Sequence, residues 1–383
     1  MEHAVTELTL FVTNDFGPRA GGIETFIIGL IERQPKSSII VYTSFQDDSY
    51  QYDADWKINF GVQVIRDRAR ILLPTPRVNR AVARLVREHN IETVAFGAAA
   101  PLAWMSATLR RAGAKRLVAL THGHEVWWSR VFPFNVIMRR IGKTTDSLTY
   151  LGEFTRRAIS KALSPASQKA MCKIAPGIDI DHFRPVDGSD LRAALGLTDK
   201  KVLVSVGRLV HRKGQDFLIK AMPLILKSVP DAHVLLIGQG PYLEHLQKLV
   251  IENNVQESVS FIGRIQYADL PRYICSGDVF VMPSRSRFAG LEVEGLGIVY
   301  LEASACGLPV IAGASGGAPD AVIEGVTGYV VDGTNTIDIA EKAVALLADS
   351  QLRKNMGEAG REWIEKEWRW EIWAEKFNKL LLG

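Results

Sequence analysis

The sequence predicts an α/β protein built from two doubly wound domains with parallel sheets. Three observations carry this. In the first half, apolar runs of strand length alternate with stretches of helical spacing. The second half repeats the alternation, and there each apolar run ends in a small or polar loop. Between the halves, residues 175–185 show no helical spacing and carry Pro176 and Pro185 near their ends, so they read as the connection. The expected domains are 1–177, 178–364, and a C-terminal helix at 365–383 that packs back on the first domain. The 383 residues suffice for two domains of ordinary size.

Composition narrows the function classes. Hydrophobic content of 47% and charged content of 23% are those of a globular protein, and no apolar run is long enough to span a bilayer. The N-terminus, acidic and running straight into a strand, is not expected to be a signal peptide. Cys172, Cys275 and Cys306 lie far apart without metal-ligand spacing, which fits a reducing, cytoplasmic compartment. Net charge is +4, unevenly spread: 25 Lys+Arg against 19 Asp+Glu before residue 191, and 21 against 23 after it. A basic first half suits an anionic partner, but the excess is mild and no nucleic-acid motif is present.

In the first half, Leu8-Thr-Leu-Phe-Val-Thr13 reads as a strand. A glycine-bearing loop follows to Gly22, then a helix over 23–31. Gly21 and Gly22 would let the backbone approach a phosphate, although adjacent glycines also make a plain turn. Further strands are expected at 38–42, 63–65, 93–96 and 117–120, with helices at 78–89 and 101–112. Arg77, Arg80, Arg84 and Arg87 share one helical face, with Ile71-Leu-Leu-Pro74 just before them. This is either a surface for an anionic membrane or the solvated side of a core helix. The strand at 117–120 ends in Thr121-His-Gly-His-Glu125, followed by Trp127-Trp128. His122 and His124 have no third metal ligand at a convincing spacing. Asp179 and Asp181, in a Pro/Gly turn, read as turn formers rather than metal ligands.

In the second half, strands are expected at 201–206, 232–237, 278–282 and 308–311, with their loops delivered to one sheet edge. Gly238-Gln-Gly240 is half a dinucleotide fingerprint, but Leu243 stands where the third glycine belongs, which disfavours a nicotinamide cofactor. Arg208 and Lys213, five apart after a strand, could clamp a diphosphate. Glu294 precedes a helix and Glu302 lies about two turns up it, at most roughly 12 Å away along the axis. Two such carboxylates could hold both ends of an extended ligand. Between them, Gly295 and Gly297 leave amides uncovered at a helix N-terminus, although acidic residues are also common at any helix start. The segment 362–382 is expected to be helical, and its four tryptophans are too many for a free surface.

Taken together, these residues resemble the retaining nucleotide-sugar glycosyltransferases of family four, which have the GT-B fold, two Rossmann-like domains facing across a cleft. The resemblance rests on Gly21-Gly22, His122, Pro176-Gly-Ile-Asp179, Gly207-Arg-Leu-Val with Lys213-Gly214, Gly238-Gln-Gly-Pro241 and Phe261-Ile-Gly263. It also rests on Pro283-Ser284, the pair Glu294/Glu302, Gly316-Gly317 with Pro319, and Glu324-Gly-Val-Thr-Gly328. The stretches 14–24 and 290–302 further resemble bacterial GDP-mannose-dependent mannosyltransferases acting on phosphatidylinositol mannosides. Two positions depart from the pattern: Asp320 where Glu is usual, and Pro176 where Asn is usual.

The resemblance implies GDP-mannose as donor, an anionic glycolipid as acceptor, and no metal or other cofactor. It implies a cytoplasmic enzyme peripheral on the inner face of the plasma membrane. Arg208 and Lys213 would neutralise the leaving diphosphate. Glu302 would take the ribose hydroxyls, and Glu294 would face the donor sugar. Gly295, Leu296, Gly297 and Ile298 would border the sugar or phosphate, and Gly207, Gly263, Arg264 and Ile265 the rest of the nucleotide. His122, Gly21 and Gly22 would contribute from the other domain. Retention would follow a front-face attack assisted by the leaving phosphate rather than the double displacement of many glycosidases. A UDP-sugar donor with another acceptor is the competing reading, and a nucleotide-binding protein without transferase activity a remoter one.

Overall fold

A computed structural model describes residues 8–19 and 21–383. The acidic stretch up to Glu7 and Ala20 of the glycine loop lie outside the described residues. The chain forms two compact units, 1–177 with 370–383, and 178–369.

In the first unit, seven parallel strands are found among the described residues: β1 (Thr9–Thr13), β2 (Ile39–Thr43), β3 (Gln63–Arg66), β4 (Thr93–Phe96), β5 (Arg116–Ala119), β6 (Ser147–Tyr150) and β7 (Cys172–Lys173). Their order is β3-β2-β1-β4-β5-β6-β7. Strands β1, β2 and β4 are buried along their whole length, as expected where helices cover both faces of a parallel sheet. The sheet reverses winding between β1 and β4, which pair in register from Thr9 opposite Thr93. Doubly wound sheets leave their ligand crevice at that point. Residues 14–19 and the loop opening at Gly97 emerge there.

The helix Pro76–Glu88 shows how sequence sets an element. Thr75 caps it by accepting the Val78 N–H at 3.3 Å, and Pro76 takes the first helical position, where no N–H is needed. Val78, Val82, Leu85 and Val86 are buried on the side facing the sheet. Arg80, Arg84 and Arg87 are exposed. Arg77 differs from them: both its terminal nitrogens reach the buried Asp67 at 2.7 Å. That arginine, with the Tyr42 hydroxyl, holds the Asp67 carboxyl far below its ordinary value.

The chain returns to the first unit as the helix Trp370–Leu382. Trp370 stacks near Phe26 with centroids 6.4 Å apart, and Phe377 meets Phe11 at 6.1 Å. Trp370 lies over Gly29, where a β-carbon would come within 2.3 Å of its ring. The tryptophan-rich segment is two helices, Ser350–Glu367 and Trp370–Leu382, separated by Trp368 and Arg369.

The second unit has six parallel strands among the described residues: β8 (Lys201–Val206), β9 (Ala232–Ile237), β10 (Val259–Gly263), β11 (Val279–Met282), β12 (Val310–Gly313) and β13 (Gly328–Val331). Their order is β10-β9-β8-β11-β12-β13, so winding reverses between β8 and β11. The helix Gln215–Ser228 and the helix Thr336–Ala348 close one face with Leu218, Met222, Ile339 and Leu346.

Candidate active site

The loops at the β8–β11 reversal assemble a charged site. After β8, Arg208 is exposed, and the chain then makes a short turn, His211–Lys213, that buries Lys213. Gly214 follows with φ +77°, and a β-carbon there would lie 1.9 Å from the Pro283 carbonyl oxygen. Only glycine lets this loop lie so close to the end of β11. Beyond β11 comes the segment that carries Glu294, and then the helix Ile298–Ala305, which carries Glu302.

Glu294 is buried and doubly paired. Its Oε2 accepts from Lys213 Nζ at 2.8 Å and from Arg212 Nη1 at 2.8 Å. Burial pushes this carboxyl up, but the two cations outweigh it and hold Glu294 below its ordinary value. Its backbone is held too. The Gly317 N–H donates to the Glu294 carbonyl at 2.8 Å, and the Glu294 N–H donates to Ser315 Oγ at 3.3 Å. Gly316, at φ +56°, permits this approach, since a β-carbon would sit 2.1 Å from that carbonyl oxygen.

Glu302 is partly accessible, but its carboxyl lies deep and is pushed up to about 7, by burial first, with the Lys213 ammonium pulling it back. The two glutamates therefore differ in character: Glu294 is a fixed anion, whereas Glu302 exchanges its proton near neutrality. Tyr300 braces the helix from below. Its hydroxyl donates to the Met282 carbonyl at 2.8 Å and lies 3.0 Å from Ser284 Oγ. Leu296 and Gly297 are buried, and Gly295 and Ile298 half-buried, between the two carboxylates. Gly263 ends β10, the outer strand of the sheet, and Arg264 and Ile265 follow it at the same C-terminal end.

Arg212 escaped the sequence reading, although it carries the same charge as its neighbour Lys213 and shares its carboxylate. Behind it lies a second unforeseen group. Arg285 donates to Asp216 at 2.6 and 2.8 Å and to His211 Nδ1 at 2.8 Å. The pair Asp179/Asp181 forms a local turn in which Asp179 Oδ1 accepts the N–H groups of Asp181 and His182. Among the described residues no three His, Cys, Asp or Glu side chains converge as a metal site would require.

In the first unit, His122 follows β5 and is buried. Its Nε2 is 2.6 Å from the Gly97 carbonyl oxygen, and its backbone N–H donates to Glu125 Oε2 at 2.9 Å. Burial depresses its basicity, so the ring is neutral and its Nε2 proton points to Gly97. Its ring also packs edge-on to Phe26 at 5.7 Å. Gly21 and Gly22 open the helix Gly22–Ile31. The Glu24 carboxylate lies beside Gly21 and pairs with Arg19 at 2.6 Å. His122 and this glycine pair thus belong to the first unit. Arg208, Lys213, Glu294 and Glu302 belong to the second.

Residues 20–182 match the family described as Glycosyltransferase Family 4, and residues 188–363 the one described as Glycosyl transferases group 1. The chain is 44% identical over 379 residues to a GDP-mannose-dependent alpha-(1-6)-phosphatidylinositol monomannoside mannosyltransferase of Mycolicibacterium smegmatis, covering 98% of each chain. It is 43% identical to the GDP-mannose-dependent monoacylated counterpart of Corynebacterium glutamicum, over 97% of each. Its fold is similar to HepE from Anabaena in complex with UDP, with TM-score 0.82 and 20% identity, covering 98% of this chain and 99% of that one. It is also similar to sucrose-phosphate synthase from Thermosynechococcus elongatus, with TM-score 0.79 and 24% identity, covering 98% of each.

Proposed function

Because the chain belongs to the family-four glycosyltransferases of the GT-B fold, we propose that it transfers mannose from GDP-mannose to a phosphatidylinositol monomannoside, with retention and without a metal. The observation that carries this is the Lys213–Glu294 pair at the β8–β11 reversal, within a chain 44% identical along 98% of its length to a mannosyltransferase of that description. An ammonium has three protons, and Glu294 engages one, which leaves Lys213 donors for a diphosphate. Arg208 adds a guanidinium at the mouth of the same loop. Together they would stabilise charge as it develops on the leaving group. Glu302, as carboxylate, would accept the ribose hydroxyls. The amides of Gly295 and Gly297, before the helix Ile298–Ala305, would meet the sugar or phosphate. As the resemblance implies, His122 would contact the sugar, and Gly21 and Gly22 would let the backbone approach a phosphate. Gly207, Gly263, Arg264 and Ile265 would border the nucleotide. With these cations neutralising the diphosphate, mannose transfer should survive a chelator. Loss of turnover in chelator, restored by Mg²⁺ or Mn²⁺, would overturn the metal-free part of the reading.

A lipid acceptor needs a membrane surface, and no helix among the described residues is long and apolar enough to cross a bilayer. Arg80, Arg84 and Arg87 on the helix Pro76–Glu88 would make that contact on the inner face of the plasma membrane. Ile71 and Leu73, 67% and 51% exposed, lie just before that helix. Trp127 and Trp128 contribute less, because both pack on Phe134. Arg77 contributes less as well, because it is committed to Asp67. Three arginines would supply roughly 3 kcal/mol on an anionic surface. Co-sedimentation with anionic vesicles should fall at high salt and be lost when Arg80, Arg84 and Arg87 become Ser. Unchanged sedimentation of that variant would leave the stripe a solvated helix face.

A further inference from the structure

Behind the charged site, one arginine ties three elements together. Arg285, just past β11, is buried. Its guanidinium grips both oxygens of Asp216, in the first turn of the helix Gln215–Ser228, and stacks 4.9 Å over the Phe217 ring. The same guanidinium donates to His211 Nδ1 at 2.8 Å, and the Arg285 backbone N–H donates to the Arg212 carbonyl at 2.8 Å. Arg285 thus holds the turn His211–Lys213 by the side chain of its first residue and the backbone of its second. The next residue is Lys213, and it reaches Glu294 from that turn together with Arg212.

We propose that Arg285 is a positioning residue that sets the height of the His211–Lys213 turn, and that the acceptor lone pair on His211 Nδ1 is the contact that locks it. The inference rests on the reading of Lys213 as a donor-site cation. It makes the lock sensitive to protons, because a protonated Nδ1 would point an N–H at the guanidinium N–H groups. The groups facing His211 are the cations Arg285 and Arg287, the anions Asp216 and Glu292, and the Tyr242 ring at 5.5 Å. Burial first, then the Arg285 and Arg287 charges, hold the imidazole below its ordinary value of 6.5. The ring is therefore neutral at neutral pH and gains its proton only in acid. The lock is intact above that titration and opens as pH falls through it.

The test is kcat at saturating donor against pH, since protonation of Glu302 acts on donor affinity instead. Arg285→Met should lower kcat at least tenfold at neutral pH. His211→Asn places an amide oxygen where Nδ1 stands and does not titrate. It should keep kcat within about twofold of wild type near pH 8 and lose the acid-side fall expected of wild type as pH drops below the ordinary histidine value of about 6.5. If Arg285→Met fails to fold, the His211→Asn profile alone decides. An acid limb that persists in His211→Asn, or wild-type kcat in a folded Arg285→Met, overturns the proposal. Failure of the underlying donor reading shows elsewhere, as normal turnover in Lys213→Ala whatever the His211→Asn profile.

Discussion

Lys213→Ala is expected to lower kcat by roughly 10²-fold or more, the range for removing one preorganised donor to developing charge. The geometry explains why so small a deletion acts so strongly. Lys213 is buried, its ammonium is fixed by Glu294 at 2.8 Å, and the turn beneath it is held by Arg285. Such a cation needs no reorganisation at the moment of reaction. Binding of free GDP should weaken far less than kcat, because on the proposed reading the charge Lys213 would meet grows as the bond between mannose and the diphosphate breaks. Stability should fall only modestly, since Glu294 keeps Arg212. Arg208→Ala should act in the same direction and less strongly, because Arg208 is exposed and partly screened by water. Near-normal kcat in Lys213→Ala, with an unchanged melting temperature, would remove the ammonium from the chemistry.

Glu302→Gln should weaken nucleotide binding and raise stability at the same time. A carboxylate accepting ribose hydroxyls makes charge-assisted hydrogen bonds worth about 1.5–3 kcal/mol, so affinity for GDP should drop roughly 10- to 100-fold. In wild type this affinity should rise with pH through about 7, as Glu302 loses its proton. In the variant it should be flat. Stability follows the opposite sign. Glu302 has its folded value raised from 4.5 to about 7, so the folded protein binds more proton than the unfolded chain between those values. Stability therefore falls as pH rises across that window, and the cost is full above it. Glutamine removes a cost on the order of 3 kcal/mol, so the variant should melt higher than wild type at alkaline pH. Wild-type nucleotide affinity with wild-type pH dependence would contradict the ribose role.

Much of this architecture was legible in the residues. Strand β8 announces itself as Val202-Leu-Val-Ser-Val206 ending at Gly207, and a parallel sheet must present that end as a loop. The spacing of Glu294 and Glu302 likewise needs only a helix to relate the two, and Ile298–Ala305 is that helix. What stayed hidden was pairing at long range. Arg285 and Asp216 are 69 residues apart, and no local pattern links them. Arg212 and Glu294 are 82 apart, so nothing marked Arg212 above the other cations of its loop. Arg77 looked like one of four equivalent arginines until Asp67, the residue just past β3, claimed it. The helix Ser49–Phe60 was missed because its apolar residues do not gather on one face. The split character of the two glutamates is also invisible in sequence, since it comes from the partners that the fold supplies: two cations for one, and mostly burial for the other.

In the proposed function, the charged site after β8 uses GDP-mannose to glycosylate a phosphatidylinositol mannoside. Its most direct test is a transfer assay with purified chain, phosphatidylinositol monomannoside and a panel of nucleotide sugars, with the product linkage read by NMR. Turnover is expected with GDP-mannose and little with UDP-glucose or UDP-galactose, and the product should carry an α-configured mannose, as retention would require. Turnover with a UDP-sugar while GDP-mannose stays silent would contradict the donor assignment, and a β-linked mannose would contradict retention.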